Sequence, residues 1–181
     1  MKKINLLLVA ILFVGVFALT GCKKDPTKDF KNPKTITVET KKGTTKITYD
    51  DDGTYEEDES YDAKVLKNKD NDFRLYFEYA DLTTKDAKTR LENFSKDKNY
   101  KIIKDVEFNG YKGFALTQKT YGSTQVYLYL DEAKDVVFVI QISPMNSSDY
   151  EKGIKEGTNP EDALYKKEKV QQILKTITYE K

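Results

Sequence analysis

Val136-Val137-Phe138-Val139-Ile140-Gln141-Ile142 is apolar at every position except Gln141. A strand with one wet face alternates apolar and polar side chains, because successive side chains point to opposite faces. A strand that is apolar throughout needs cover on both faces. This stretch therefore demands a layered domain with itself at the centre, and the rest of the chain must supply two covers.

Several segments read as its neighbours in a sheet. Thr35 to Thr40 and Lys46 to Tyr49 alternate, are rich in β-branched residues and flank a Lys42-Gly43 turn, which is the pattern of a hairpin. Ala63 to Leu66 is a weak strand, and Phe73 to Tyr79 a stronger one with Phe73, Leu75, Phe77 and Tyr79 on one face. Tyr100 to Phe108 places Ile102, Val106 and Phe108 on one face by the two-residue period. Asn109-Gly110 is a tight-turn signal leading into a strand over Lys112 to Lys119. Thr124 to Leu130 sets Val126, Leu128 and Leu130 against Tyr127 and Tyr129.

Three segments switch to the helical period. Ala87, Leu91 and Phe94 form one narrow apolar stripe, and Thr83 with Asp86 resembles a capping pair, predicting a helix over about 84–97. Ser147 to Glu156 predicts a short helix. Asn159-Pro160-Glu161-Asp162 carries the residues of a helix start, predicting a helix over about 160–176 with Ala163, Val170, Ile173, Leu174 and Ile177 on its buried stripe. Strands plus helices at both ends of a meander make an α+β sandwich with an antiparallel sheet.

Composition removes whole classes of chemistry. The chain has no histidine and one cysteine, Cys22. Catalysis by Ser-His-Asp or Cys-His, and histidine-ligated zinc or iron, are excluded. Basic and acidic residues number 31 and 30, a balance that argues against nucleic acid, which favours a clustered basic surface. No cofactor is implied. Tryptophan, the best stacking platform for sugars, is absent, but thirteen tyrosines are present.

The N-terminus reads as a processed segment. Lys2 and Lys3 precede an almost wholly apolar run from Ile4 to Leu19, followed by Thr20 and Gly21, which is the order of a secretory signal peptide. Leu19-Thr20-Gly21-Cys22 resembles the bacterial lipobox. That resemblance implies a diacylglyceryl group on the Cys22 sulfur and cleavage between Gly21 and Cys22. A second acyl chain then makes the attachment stable where one alone is marginal. The expected organisation is a cleaved signal peptide over 1–21, a lipidated tether over 22–34 (polar, with Pro26 and Pro33) and a single α+β domain over 35–181.

From Phe73 onward, the order helix, four-strand meander, final helix is similar to the PsbP-like fold. The residues carrying this are Tyr100-Lys101-Ile102-Ile103, Asn109-Gly110-Tyr111-Lys112-Gly113-Phe114, Val136 to Ile142 and Val170 to Ile177. The resemblance implies at most a binding or assembly role, and it carries no functional residue over to this chain. A cystatin-like α+β arrangement is the alternative.

Candidate sites are few. Asp50 to Glu59 holds seven carboxylates, among which Asp50, Asp52 and Glu56 are the metal candidates. Calcium needs several oxygens converging at about 2.3–2.6 Å, and the spacing does not match an EF-hand loop. The commoner reading is a solvated turn and edge strand whose like charges deter edge pairing. Glu56 and Glu59 are the acid pair that glycoside hydrolysis would require. Tyr121, Tyr127 and Tyr129 are candidates for an aromatic binding surface, against the commoner reading that Tyr127 and Tyr129 pack beneath a helix.

The expectation is a non-catalytic protein, lipid-anchored through Cys22 at the extracytoplasmic face of a cell membrane, binding a protein or envelope component. The alternatives are an envelope hydrolase using carboxylates and a calcium-dependent adhesion module.

Overall fold

The computed structural model describes residues 25–78 and 82–181. Cys22, its preceding cleavage bond and Tyr79 lie outside them. Ten strands are present among the described residues: β1 (Pro33–Thr40), β2 (Gly43–Asp50), β3 (Tyr55–Ser60), β4 (Ala63–Asn68), β5 (Phe73–Glu78), β6 (Tyr100–Phe108), β7 (Tyr111–Gln118), β8 (Ser123–Asp131), β9 (Val136–Pro144) and β10 (Thr178–Glu180). The helices are α1 (Thr84–Phe94), α2 (Ser147–Lys155), α3 (Ala163–Lys166) and α4 (Glu168–Leu174). Seven strands form one antiparallel sheet in the order β3-β4-β5-β9-β8-β7-β6, and β1, β2 and β10 form a second sheet. The protein is thus sheet-dominated α+β.

Strand β9 lies in the middle of the large sheet and has a core on each side. Phe138, Ile140 and Ile142 join Phe73, Leu75, Phe77, Val126 and Leu128 on one face, where β1, β2, α3 and α4 bring in Ile36, Val38, Ile47, Leu164 and Val170. Val137 and Val139 face the other way, onto Phe114, Leu116, Tyr127 and Ala87 of α1. Both covers demanded by the apolar run are therefore found. Burying each such side chain contributes about 1.5–3 kcal/mol, which is why this strand fixes the layering. The acidic β3 sits at the sheet's edge, with Glu56 to Ser60 exposed.

The N-terminus of α1 is closed by the reciprocal Thr83–Asp86 box: the Asp86 amide donates to Thr83 Oγ1, and the Thr83 amide to the Asp86 carboxylate. Asn109 and Gly110 turn the chain with φ of 50° and 86°, as the Asn-Gly signal predicts. Two expectations are corrected.

First, Ile102 does not share a face with Val106 and Phe108. A bulge between Ile103 and Val106, with Asp105 at φ 57°, inserts an extra residue and changes the phase. Ile103, Val106 and Phe108 face the larger core, and Ile102 faces α1.

Second, the helix expected over 160–176 is two helices, broken at Lys167 with ψ at 133°. Side chains on a helix turn by roughly 100° per residue. One continuous helix would put Leu164 and Tyr165 on the side opposite Val170, Ile173 and Leu174. All five are buried, so the break rotates the second set onto the core.

Two features near the ends of the described residues go beyond the expected elements. Strand β1 begins at Pro33, and the Lys31 and Asn32 amides donate to Asp50 Oδ1. At the other end β10 pairs with β2, a strand that three residues following a helix do not announce.

Candidate functional site

An eleven-residue helix is roughly 16 Å long, whereas seven strands span roughly 29 Å. Helix α1 therefore covers only part of its face of the large sheet. Ala87, Leu91 and Phe94 lie over the covered part. Beside it the register lines up Tyr76, Gln141, Gln125 and Leu116 across β5, β9, β8 and β7. Tyr100, Gln118 and Ser123 are likewise matched across β6, β7 and β8. Directly opposed side chains in such a ladder lie about 4.5–5.5 Å apart at Cβ, close enough to act together.

The result is an open cleft of about 160 Å³ lined by Tyr100, Leu116, Gln118, Ser123, Gln125 and Gln141. Leu116 is its apolar floor, 1% exposed. Tyr100 is its aromatic wall, held by a tilted contact with Phe94 at the end of α1, ring centroids 4.4 Å apart. Two of the amides are oriented by neighbours. Tyr127 Oη donates to Gln125 Oε1 at 2.8 Å, and Gln141 Nε2 donates to Ser143 Oγ at 3.1 Å. The first bond engages the Gln125 carbonyl oxygen, and the second an N–H of Gln141.

Charged groups border this cleft without entering its lining. Arg90 of α1 donates to Tyr127 Oη at 3.3 Å. Burial pushes the Tyr127 hydroxyl pKa up, against the opposing effect of Arg90. Glu78, two residues along β5 from Tyr76, is also held above the usual carboxylate range by burial, with Arg90 acting in the other direction. Arg74 is occupied with backbone: it donates to the carbonyls of Pro144 and Met145. The lining itself can hydrogen-bond and stack, but none of its six side chains is a carboxylate, an amine or a thiol.

The residues singled out in the sequence lie elsewhere. Asp52 pairs with Lys169, whose hydrogen bond, with that of Thr54, brings its pKa down to about 2. Glu56 faces Lys69 at 3.0 Å and Lys67 at 3.9 Å. Asp50 accepts the two backbone amides that fasten the chain ahead of β1. The three candidates are thus separately engaged. Among the described residues, no group of three or more acidic, histidine or cysteine side chains is placed to hold a metal ion. Glu56 and Glu59 are three apart on a strand and so point to opposite faces, where Glu59 meets Lys64. That geometry does not make a glycosidase pair.

The three tyrosines do not form one surface either. Tyr127 is fully buried beneath α1, Tyr129 is half-buried, and Tyr121 is exposed in the β7–β8 turn. The aromatic residue at the cleft is Tyr100, and its polar residues are three glutamines and Ser123. Sequence reading missed them, although one signal was present. Gln141 is the sole interruption of the apolar β9 run, and it marks the place where α1 ceases to cover the sheet.

Fold and site together define an α+β protein with two antiparallel sheets and an uncharged cleft on the half-covered face of the larger one. Comparison with protein-family models, with curated proteins and with solved structures finds no match to this chain. No helix among the described residues is long and apolar enough to cross a membrane.

Proposed function

We propose that this chain is a lipid-anchored protein of the extracytoplasmic face of a bacterial membrane, whose domain binds an envelope component in the cleft without transforming it. The observation that carries the binding reading is the lining: carboxamides, hydroxyls, one aromatic ring and no group that ionises near neutral pH. Such a surface recognises by hydrogen bonding and stacking, whereas acid–base or nucleophilic catalysis needs a proton carrier or an activated nucleophile within reach of the ligand.

The anchor reading rests on Leu19-Thr20-Gly21-Cys22 after its apolar run. Ten chain steps lead from Cys22 to Asn32, where the chain is fastened to Asp50. At full extension they reach at most roughly 36 Å, so the domain would stay close to the headgroups. For the fold we propose a PsbP-like arrangement over 73–181. Support comes from α1 followed by the uninterrupted meander β6-β7-β8-β9; the divided C-terminal helix departs from it.

Two measurements test this reading. Cys22→Ser should abolish acyl labelling in cells and leave a heavier precursor; unchanged labelling refutes the anchor. A photoreactive residue at Tyr76, beside the cleft, should give adducts in intact cells that disappear when Tyr100→Ala is added. Adducts identical to those from Tyr61, at the remote β3–β4 turn, refute the site.

A further inference from the structure

Charge stops at the border of the cleft. Charged residues make up 34% of the chain, yet none lines it. A ligand carrying carboxylates, phosphates or ammonium groups would give up hydration there and meet no opposite charge among the lining side chains, which is unfavourable. The ligand chemistry that fits is neutral and polar.

Size and geometry narrow it further. A cavity of about 150 Å³ admits a six-membered ring of benzene size, and the cleft measures about 160 Å³. Strands β7, β8 and β9 beneath it are each paired on both sides, so their backbone N–H and C=O groups are committed to the sheet. An extended peptide lying over these three strands would find no free backbone to pair with, the nearest open edge being that of β6 beyond Tyr100. Side-chain amides remain, and each presents a donor next to an acceptor. Ring hydroxyls, which both donate and accept, match that pattern, and the Tyr100 face offers apolar contact to the C–H side of a sugar ring.

Resting on the cleft reading above, we infer that the site takes one pyranose unit of a neutral glycan, with Tyr100 as the stacking wall and Gln118, Gln125 and Gln141 as the hydroxyl partners. The test is titration of the full-length lipoprotein in detergent with neutral oligosaccharides (glucose-type and N-acetylhexosamine-type), with a neutral tetrapeptide pool and with inorganic phosphate as separate arms. Saturation-transfer NMR reports contact, and calorimetry reports affinity.

A neutral oligosaccharide should bind, and Gln141→Leu should weaken it roughly fivefold or more, the cost of one lost hydrogen bond. Tyr100→Ala should weaken it further, and Tyr121→Ser should leave it unchanged. Thermal melting of each variant separates loss of ligand from loss of fold. Binding of sugar that ignores both cleft variants overturns the inference. Peptide binding that depends on them, with no sugar bound, overturns the glycan while leaving the cleft as a binding site. Phosphate binding that depends on them overturns the neutral-ligand argument. If no arm responds to the cleft variants, both this inference and the binding reading it rests on fall.

Discussion

Asp162 is the best place to test how the C-terminal segment is held. Its side chain is only 4% exposed, and its carboxylate meets Lys101 of β6 at 2.7 Å and Lys166 of α3 at 3.0 Å. It therefore fastens the start of α3 to the sheet's far edge. Burial alone would raise its pKa, but hydrogen bonds from Lys101 and then Lys166 outweigh burial and hold it below the ordinary carboxylate value. Charge-assisted hydrogen bonds contribute about 1.5–3 kcal/mol. Lys101 and Lys166 keep 42% and 65% of their side-chain surface exposed, and water screens them, so the lower part of that range applies. Asp162→Asn, which keeps the shape, should cost about 2 kcal/mol at pH 7, or roughly 4–8 °C in Tm for a chain of this size. The sign with pH follows from linkage. The folded carboxyl binds its proton less readily than the unfolded one at about 3.9. Its stabilisation is therefore complete above that value and is lost as pH falls through the folded pKa. Urea unfolding of both proteins from pH 7 down to pH 2 should show the gap closing in acid. An undiminished gap at pH 2, or no gap at pH 7, would refute the reasoning.

Other outcomes are equally definite. Gly113→Ala places a Cβ 1.8 Å from the Tyr127 carbonyl oxygen, a backbone atom that cannot swing aside, so destabilisation at or beyond the upper end of about 1–3 kcal/mol is expected in urea unfolding. Glu78→Gln should raise Tm at pH 7. Its elevated folded pKa means the native state favours the protonated form, so the gain should fade as pH falls through that raised folded value and be gone below the ordinary glutamate value of about 4.3. Calcium should give no melting shift beyond that of magnesium at equal ionic strength, because Asp50, Asp52 and Glu56 are engaged separately. A calcium-specific increase would show that these acids can reassemble.

How much of this was legible beforehand depended on the range of the interaction concerned. The Thr83–Asp86 box, the Asn109-Gly110 turn and the alternation of β5 and β8 are set within a few residues, and the sequence displays them directly. The central place of β9 was legible too, since a strand apolar on both faces has no other stable position. The Ile103–Val106 bulge was not, because adding one residue to a strand leaves the local composition unchanged. The break at Lys167 was hidden for a related reason. The residues around it favour a helix, and only the need to bury Leu164 and Val170 on one surface interrupts it.

The site shows the same division. From sequence alone come the absence of histidine chemistry, the two-faced burial of Val136 to Ile142 and the anomaly of Gln141 within it. Tertiary structure alone decides that α1 is too short to cover its face of the sheet. It also decides that Tyr100, Gln118 and Gln125, from three different strands, stand around Gln141 in the part left open. Side-chain period is a local property that one strand carries in its own residues, whereas cover is a relation between layers and exists only once they have packed.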